Sequence, residues 1–549
     1  MRLSFLALAA TAIAVASAAP APVKRAAKPN VVLGYWVPWG DVPVASLDMT
    51  KYTHINYGFG VTAKRNAKVT DIFFDRYYDG NNIKALVKRG NEYGVPILMS
   101  IGGWTGSQTL STIAADAGLR KTFINNALVF VRNNTLPDYA DTPDGWNMHG
   151  IDLDWEYPGR PGAICNTYTP QDSANYLVLL KELRAQLDLE FPNNRKLLTA
   201  AVRVEPFDGT NGKPLADVSA FATYFDWVSI MAYDIMGSWS ATTGPNAPFN
   251  NGPAGKADQF SFTQSIASWT GANFPANKLV MGTAFYGRSL TATVNMDTQN
   301  PVTMYAPHAA AVPKGGPGDS NEVNFYCNEG TEWSGLWKWK ELRGGPLTDR
   351  NDINFFCNEG SVYSGMWKWK EIRGSILTGG VTSPAPGWTR YWDDATQTPW
   401  LYGTAANTFI SYDDVQSLTI KVNHAKNAGV KGVMLWDMSY DYNNELINVL
   451  QNIHCTSNCP VVTTTVPPVT TTTAGPITTT TTTTTGGPVT TTPAGICTGV
   501  APWNAATAYS VTGTKVTYAG HLFTNSWWTQ NEAPSTANQW GVWKDGGAC

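Results

Sequence analysis

Eight short apolar runs recur along the chain, each closed by glycine or polar residues. They are Val31–Trp36, Thr53–Phe59, Ile97–Ile101, Ile151–Trp155, Leu197–Val202, Trp227–Tyr233, Leu279–Phe285 and Gly432–Trp436. Runs of this length, rich in β-branched and aromatic residues, read as buried strands. Longer stretches with helical spacing fill several gaps, among them Ser173–Leu189 and Val415–Ala428. Buried strands alternating with helices predict an α/β fold, a (β/α)8 TIM barrel. A typical barrel needs about 250 residues. Residues 30–455 exceed that, and the widest gap lies between the seventh and eighth runs. An inserted α+β subdomain is therefore expected at about 290–395. Within it Asn324–Arg343 recurs as Asn354–Arg373, offset by 30 residues with 14 of 20 positions identical. Two copies are too few for a solenoid, so a local tandem duplication is expected.

The flanks follow other patterns. Arg2, the apolar stretch Leu3–Ala16 and the small residues Ala16-Ser17-Ala18 read as a signal peptide over 1–18, so secretion is expected. The apolar run is too short to span a membrane. Residues 19–29 form a short propeptide-like segment with Lys24-Arg25 as a dibasic site. Asn133-Asn134-Thr135 is an N-glycosylation acceptor pattern. Residues 456–494 are a Thr/Pro-rich linker that cannot bury a core. Residues 495–549 form a small all-β module. Cys497 and Cys549 bracket a segment too short for a robust core, so a disulfide between them is expected. The spacing leaves the pairing of Cys165, Cys327, Cys357, Cys455 and Cys459 open.

Composition narrows the function. Charged residues are only 15% and the net charge is −3, which argues against a nucleic-acid or anionic-membrane partner. Among 549 residues 22 are Trp, more indoles than a core requires and suited to stacking on sugar rings. The six His show no zinc spacing and no glycine-rich loop precedes a Lys-Ser/Thr pair, so no metal or cofactor is expected.

The fourth run carries the chemistry. In Gly150–Pro158 side chains alternate, so Asp152, Asp154 and Glu156 share one face while Ile151, Leu153 and Trp155 share the other. Three carboxylates along one face of a buried strand repel, and shared protons push at least one pKa upward. A carboxylic acid kept protonated near neutral pH can protonate a leaving oxygen.

These residues, with Tyr157 and Pro158, resemble the signature of family 18 glycoside hydrolases, the chitinases. Ser100-Ile101-Gly102-Gly103-Trp104, Met231-Ala232-Tyr233-Asp234 and Trp436 match three further motifs of that family, in order. The resemblance covers nearly all of 30–455. It implies a retaining, substrate-assisted mechanism. Glu156 is the implied acid, Asp154 holds the sugar acetamide, Asp152 shares a proton with Asp154, and Tyr233 orients the acetamide oxygen. Gly103, Met231, Asp234, Tyr286 and Arg288 are implied in substrate binding, with Arg288 pairing an acidic residue. Trp436, Trp104 and Tyr35 are expected to stack on pyranose faces. His149 stands where the family motif begins with Asp. That position is expected deepest in the barrel, tuning activity.

The run Tyr518–Gln530 resembles the chitin-binding module of carbohydrate-binding family 5/12. Trp527 and Trp528 are the expected stacking pair. Chitin and chito-oligosaccharides are the expected partners of a monomer. A non-catalytic chitin lectin and an endo-β-N-acetylglucosaminidase on the same barrel are the alternatives.

Overall fold

The computed structural model describes residues 30–62, 68–74, 76–133, 146–163, 165–319 and 363–455. Toward the C-terminus it describes 497, 500–504, 507, 509, 514–525, 533–534 and 543–549. The expected signal and propeptide-like segments, the linker, the first repeat copy, Cys327, Cys357, Cys459, Trp527 and Trp528 lie outside the described residues. The chain divides into two compact units, residues 1–465 and 466–549.

Seven barrel strands come first: β1 (Val31–Trp36), β2 (His54–Thr62), β3 (Ile97–Gly102), β4 (Gly150–Asp154), β5 (Leu197–Val202), β6 (Trp227–Ile230) and β7 (Leu279–Ala284). The chain then builds β8 (Tyr286–Thr291), β9 (Met366–Lys368), β10 (Trp388–Asp393), β11 (Thr398–Gly403) and β12 (Thr408–Ser411). It returns as β13 (Gly432–Trp436). Strands β1, β13, β7, β6, β5, β4, β3 and β2 pair in that order, and β2 closes on β1. Every one of these pairings is parallel. The eight-stranded closed barrel is thus as the apolar runs predict.

Among the described residues the α-helices are α1 (Arg76–Tyr93), α2 (Leu110–Ala115), α3 (Ala117–Leu128), α4 (Asp172–Glu190), α5 (Ser219–Ala222), α6 (Phe262–Gly271), α7 (Trp369–Ser375), α8 (Val415–Asn427) and α9 (Glu445–Leu450). Helix α8 starts where the Asp414 carboxylate accepts the N–H groups of Gln416 and Ser417, satisfying two amides that the helix leaves unpaired. Helix α4 buries Leu179, Leu180, Leu183 and Leu187, each worth about 1.5–3 kcal/mol on transfer from water. Strand alternation separates two cores. Ile151, Leu153 and Trp155 join the layer between strands and helices. Leu33, Tyr35, Trp227, Val280 and Met434 fill the barrel interior.

The inserted strands form an antiparallel sheet in the order β9, β8, β12, β11, β10. The sheet starts at Tyr286, two residues after β7, and ends at Ser411, so it reaches beyond the expected 290–395. Tyr391 and Trp400 stack at 4.3 Å within it. Below it Arg390 pairs with Asp414 at 2.7 Å, and Lys421 pairs with Asp413 at 2.6 Å.

The C-terminal unit holds an antiparallel sheet of β14 (Lys515–Tyr518), β15 (His521–Asn525) and β16 (Trp543–Ala548). Cys497 and Cys549 are joined by a disulfide. Tyr509, Val516, Phe523 and Trp543 are its core, with Trp503 packed against them. Among the described residues no helix is long and apolar enough to cross a membrane.

Candidate active site

Register places the deepest acid. Ser100 on β3, Asp152 on β4 and Thr199 on β5 are direct neighbours across the sheet. Asp152 is fully buried. Its Oδ2 accepts hydrogen bonds from Tyr35 Oη at 2.8 Å and Ser100 Oγ at 2.7 Å, and its Oδ1 accepts one from Thr199 Oγ1 at 2.5 Å. Burial raises its pKa, while the donors on Thr199, Ser100, Tyr35 and Asn56 pull it back. One level higher, Asp154 is 4% exposed, and its Oδ1 has no hydrogen-bond partner among the described residues. Burial, then the charges of Glu156 and Asp152, hold its carboxyl well above the usual range. Glu156 follows at 8% exposure. Asp152 and Asp154 alternate along β4 as its period predicts, and Glu156, just past the strand's end, lies close enough for its charge to act on Asp154.

The backbone around this column is fixed by neighbours. The Gly103 N–H donates to the Asp154 carbonyl at 2.8 Å, and Ser107 Oγ donates to the same oxygen at 2.9 Å. Gly103 has φ +85°, and a Cβ there would meet the Phe59 ring at 3.2 Å, so glycine is needed for this close approach. The Glu156 N–H donates to Ser107 Oγ at 3.1 Å, and Asn166 Nδ2 donates to the Glu156 carbonyl at 2.8 Å.

Opposite the column, Tyr233 is half-buried, with its hydroxyl 3.8 Å from Met434 Sδ. Burial and then Asp154 keep this hydroxyl protonated, with a pKa well above 10. Met231 packs against the interior cluster. Asp234 adopts φ +57°. Its carboxylate accepts Tyr286 Oη and Arg288 Nε, each at 2.6 Å, so Asp234 is the acidic partner of Arg288.

Aromatic rings line the mouth. Trp436 is half-buried, 5.7 Å from Phe59 in a near-parallel stack. Trp104 is 43% exposed, and Trp39 and Trp239 are still more open. The last two were missed from sequence, although each sits in the loop just after a strand run. Tyr35 is a correction. It is only 2% exposed and spends its hydroxyl on Asp152, so it is no platform for a sugar. Ser100 and Thr199 were also given no role, yet both lie on the inward face that alternation assigns. His149 is a second correction. Its Nδ1 accepts the Ile97 N–H at 3.0 Å and its Nε2 faces Asn91 Oδ1 at 3.0 Å. It braces the barrel end away from the mouth and does not point into the barrel.

A column of buried acids at the C-terminal mouth of a (β/α)8 barrel, ringed by exposed indoles, is an arrangement of the glycoside hydrolase class. The chain matches Glycosyl hydrolases family 18 over residues 31–441, and it belongs to that family. It is 30% identical to a chitinase-like effector of Moniliophthora roreri over 77% of this chain and 92% of that protein. It is 27% identical to Chitinase A1 of Niallia circulans, over 90% of this chain and 69% of that one. The crystal structure of a chitinase from Rhizomucor miehei superposes with a TM-score of 0.61 at 29% identity, covering 77% of this chain and 99% of that one.

Proposed function

We propose that the chain is a secreted chitinase that hydrolyses β-1,4-N-acetylglucosamine linkages by a retaining, substrate-assisted mechanism. The observation that carries this is Asp154: a buried carboxyl with an unpartnered oxygen, between two other acids and beside the Tyr233 hydroxyl. Glu156 gives its proton to the glycosidic oxygen as that bond breaks. The acetamide oxygen of the same sugar bonds to the anomeric carbon, forming an oxazolinium ion. Asp154 accepts the acetamide N–H and balances the positive charge, with Asp152 sharing its proton. Tyr233 donates to the acetamide oxygen and aims it. Glu156 then takes a proton from the incoming water, which opens the ring with net retention. Trp436 is the floor under the reacting sugar, Trp104 stacks on a flanking one, and Asp234 and Arg288 form the wall. Orientation of this kind supplies several kcal/mol of barrier reduction.

The signal-like residues 1–18 support secretion, and the indoles of 495–549 support a module that holds the enzyme on chitin through the Thr/Pro-rich linker. Two relatives are called chitinase-like effectors, so catalysis is argued from this chain's own residues. Glu156, Asp154, Asp152 and Tyr233 are all present at one place. Glu156→Gln lowers turnover of N-acetylchitohexaose by about 10²-fold or more, while calorimetry still detects binding of the hexamer. Turnover near wild type would remove Glu156 from its role.

A further inference from the structure

One buried amide beside the deepest acid is used by no step above. Strand β2 places Ile55 and Tyr57 in the outer layer, so alternation turns Asn56 into the barrel. His54, two residues earlier on the same face, packs on the interior ring of Trp227. Register sets Asn56 directly beside Tyr35 of β1, whose hydroxyl donates to Asp152 at 2.8 Å. Asn56 is fully buried, and among the described residues neither its Nδ2 nor its Oδ1 completes a hydrogen bond. Its amide is nevertheless near enough to draw both the Tyr35 hydroxyl and the Asp152 carboxyl toward their ionised forms.

Burying an amide with both polar atoms unspent is unfavourable. An apolar side chain would fill the same place without that penalty. The titratable groups coupled to Asp152 are Tyr35 on β1, Asp154 on β4, Tyr176 on α4 and Tyr233 after β6. None of them is a cation. His54 is held neutral, its pKa lowered to about 4 by burial and then by the charges of Lys431 and His149. Neutral donors therefore hold the Asp152 charge, and the unspent amide stands next to them.

We propose that Asn56 is a positioning residue for the proton shared by Asp152 and Asp154: its amide N–H closes on the Asp152 carboxylate while the proton sits on Asp154. The inference rests on the substrate-assisted reading of the site. As the proton passes, the O–H bond on Asp154 breaks and one forms on Asp152, and the amide releases the neutral carboxyl. Without the amide, Asp152 is the stronger base. The pair then takes up a second proton at higher pH, and the acid limb of turnover moves up.

The test uses the full chain with N-acetylchitohexaose as substrate. Turnover and KM are measured from pH 4 to pH 8 for wild type, Asn56→Val and Asn56→Thr, two replacements of like shape that differ by a hydroxyl. In Asn56→Val the acid limb moves to higher pH and kcat at pH 5 falls about fivefold, the worth of one hydrogen bond. The deficit narrows toward pH 7, and KM stays within about twofold. Asn56→Thr keeps a donor and lies nearer wild type. An unmoved acid limb in Asn56→Val, or limbs that coincide in the two variants, overturns the role, because lost packing alone lowers the folded fraction without moving the profile. Should neither variant fold, native Asn56 is read in a crystal structure of Glu156→Gln with the hexamer bound. Nδ2 then lies within hydrogen-bond distance of Asp152, and an amide that stays clear of Asp152 overturns the role equally. A wild type that leaves the hexamer uncut sinks the chitinase reading, and the Asn56 role with it. A wild type that cuts it, with both variants following the same profile, sinks the Asn56 role alone.

Discussion

Two regions of the barrel bury carboxylates completely, and they handle the charge in opposite ways. Beneath the inserted sheet, Asp413 meets Lys421 at 2.6 Å, with both side chains at most 1% exposed. Lys421 Nζ also donates to the Ala247 carbonyl at 2.6 Å, and the Ser417 hydroxyl donates to Asp413 at 2.7 Å. Burial pushes the Asp413 carboxyl up and the Lys421 ammonium down, while each draws the other back toward its charged form. At the mouth, Asp152 is just as buried and Asp154 nearly so, but among the described residues neither forms an ion pair with a cation. Asp152 is held by hydroxyl donors and Asp154 by nothing on Oδ1. Burial alone therefore does not mark an active acid. A buried acid that faces a cation and a carbonyl is a lock. One that faces other acids at an open mouth stores a proton for chemistry.

The largest effect that would sharpen this contrast is at Asp154. Asp154→Asn cuts turnover of acetylated oligomers by about 10²-fold or more, yet the protein does not lose stability. The sign follows from the raised pKa. The folded state holds a proton on Asp154 that the unfolded chain releases, so stability falls as pH rises from the unfolded pKa through the folded one. Removing the acid removes that loss, and thermal unfolding followed from pH 4 to pH 7 shows a flatter profile in the variant. A variant less stable than wild type at pH 7 would mean that Asp154 is a lock like Asp413.

Lys421→Met tests the other side. It strands Asp413 and the Ala247 carbonyl, and costs about 3–5 kcal/mol in denaturant unfolding. Turnover per folded molecule stays near wild type, because among the described residues neither Asp413 nor Lys421 hydrogen-bonds Asp152, Asp154, Glu156 or Tyr233. Asp413→Leu combined with Lys421→Met recovers most of the stability, since apolar replacement of a buried pair is often neutral. A double variant as unstable as the single one would show that the pair positions the inserted sheet rather than merely neutralising charge.

The same contrast explains what was legible in the sequence. Strand alternation gives the acid column, because period two is a property of the backbone and needs no tertiary knowledge. The barrel follows from continuous apolar runs alternating with helical stretches, which is how parallel strands buried on both faces read. Tyr35 was misread because an inward tyrosine on a strand serves equally as a stacking platform or as a hydroxyl donor. Only the partner at 2.8 Å decides between them. The limits of the insertion were drawn too tightly because β8 leaves β7 with no turn residues between them, so no punctuation marks the boundary at Phe285. The Asp413–Lys421 lock was invisible, since its members lie eight residues apart and meet only because helix α8 turns one toward the other.

His149 separates parity from motif, and it carries the smallest expected effect. Counting from Asp152, position 149 shares the outward parity of Ile151 and Leu153. The alternation that found the acids therefore also places His149 outside, with Ile97 and Asn91 as partners. The family motif suggested the interior, and parity wins. Burial, then the charge of Lys196, lower its pKa to about 4, so it folds as the neutral ring. The unfolded chain takes up a proton near 6.5 that the folded state refuses until about 4, and this group lowers stability as pH falls through that window. His149→Leu gives up the Ile97 hydrogen bond at a cost of about 1 kcal/mol above pH 7. The difference from wild type narrows on acidification, because the variant no longer carries the refused proton. Turnover and its pH profile stay within about twofold, well inside the range that loss of a proton-transfer group would exceed. A shifted pH profile for turnover, with stability unchanged, would put His149 back among the residues that tune the acid column and would show that the barrel end opposite the mouth is electrically coupled to it.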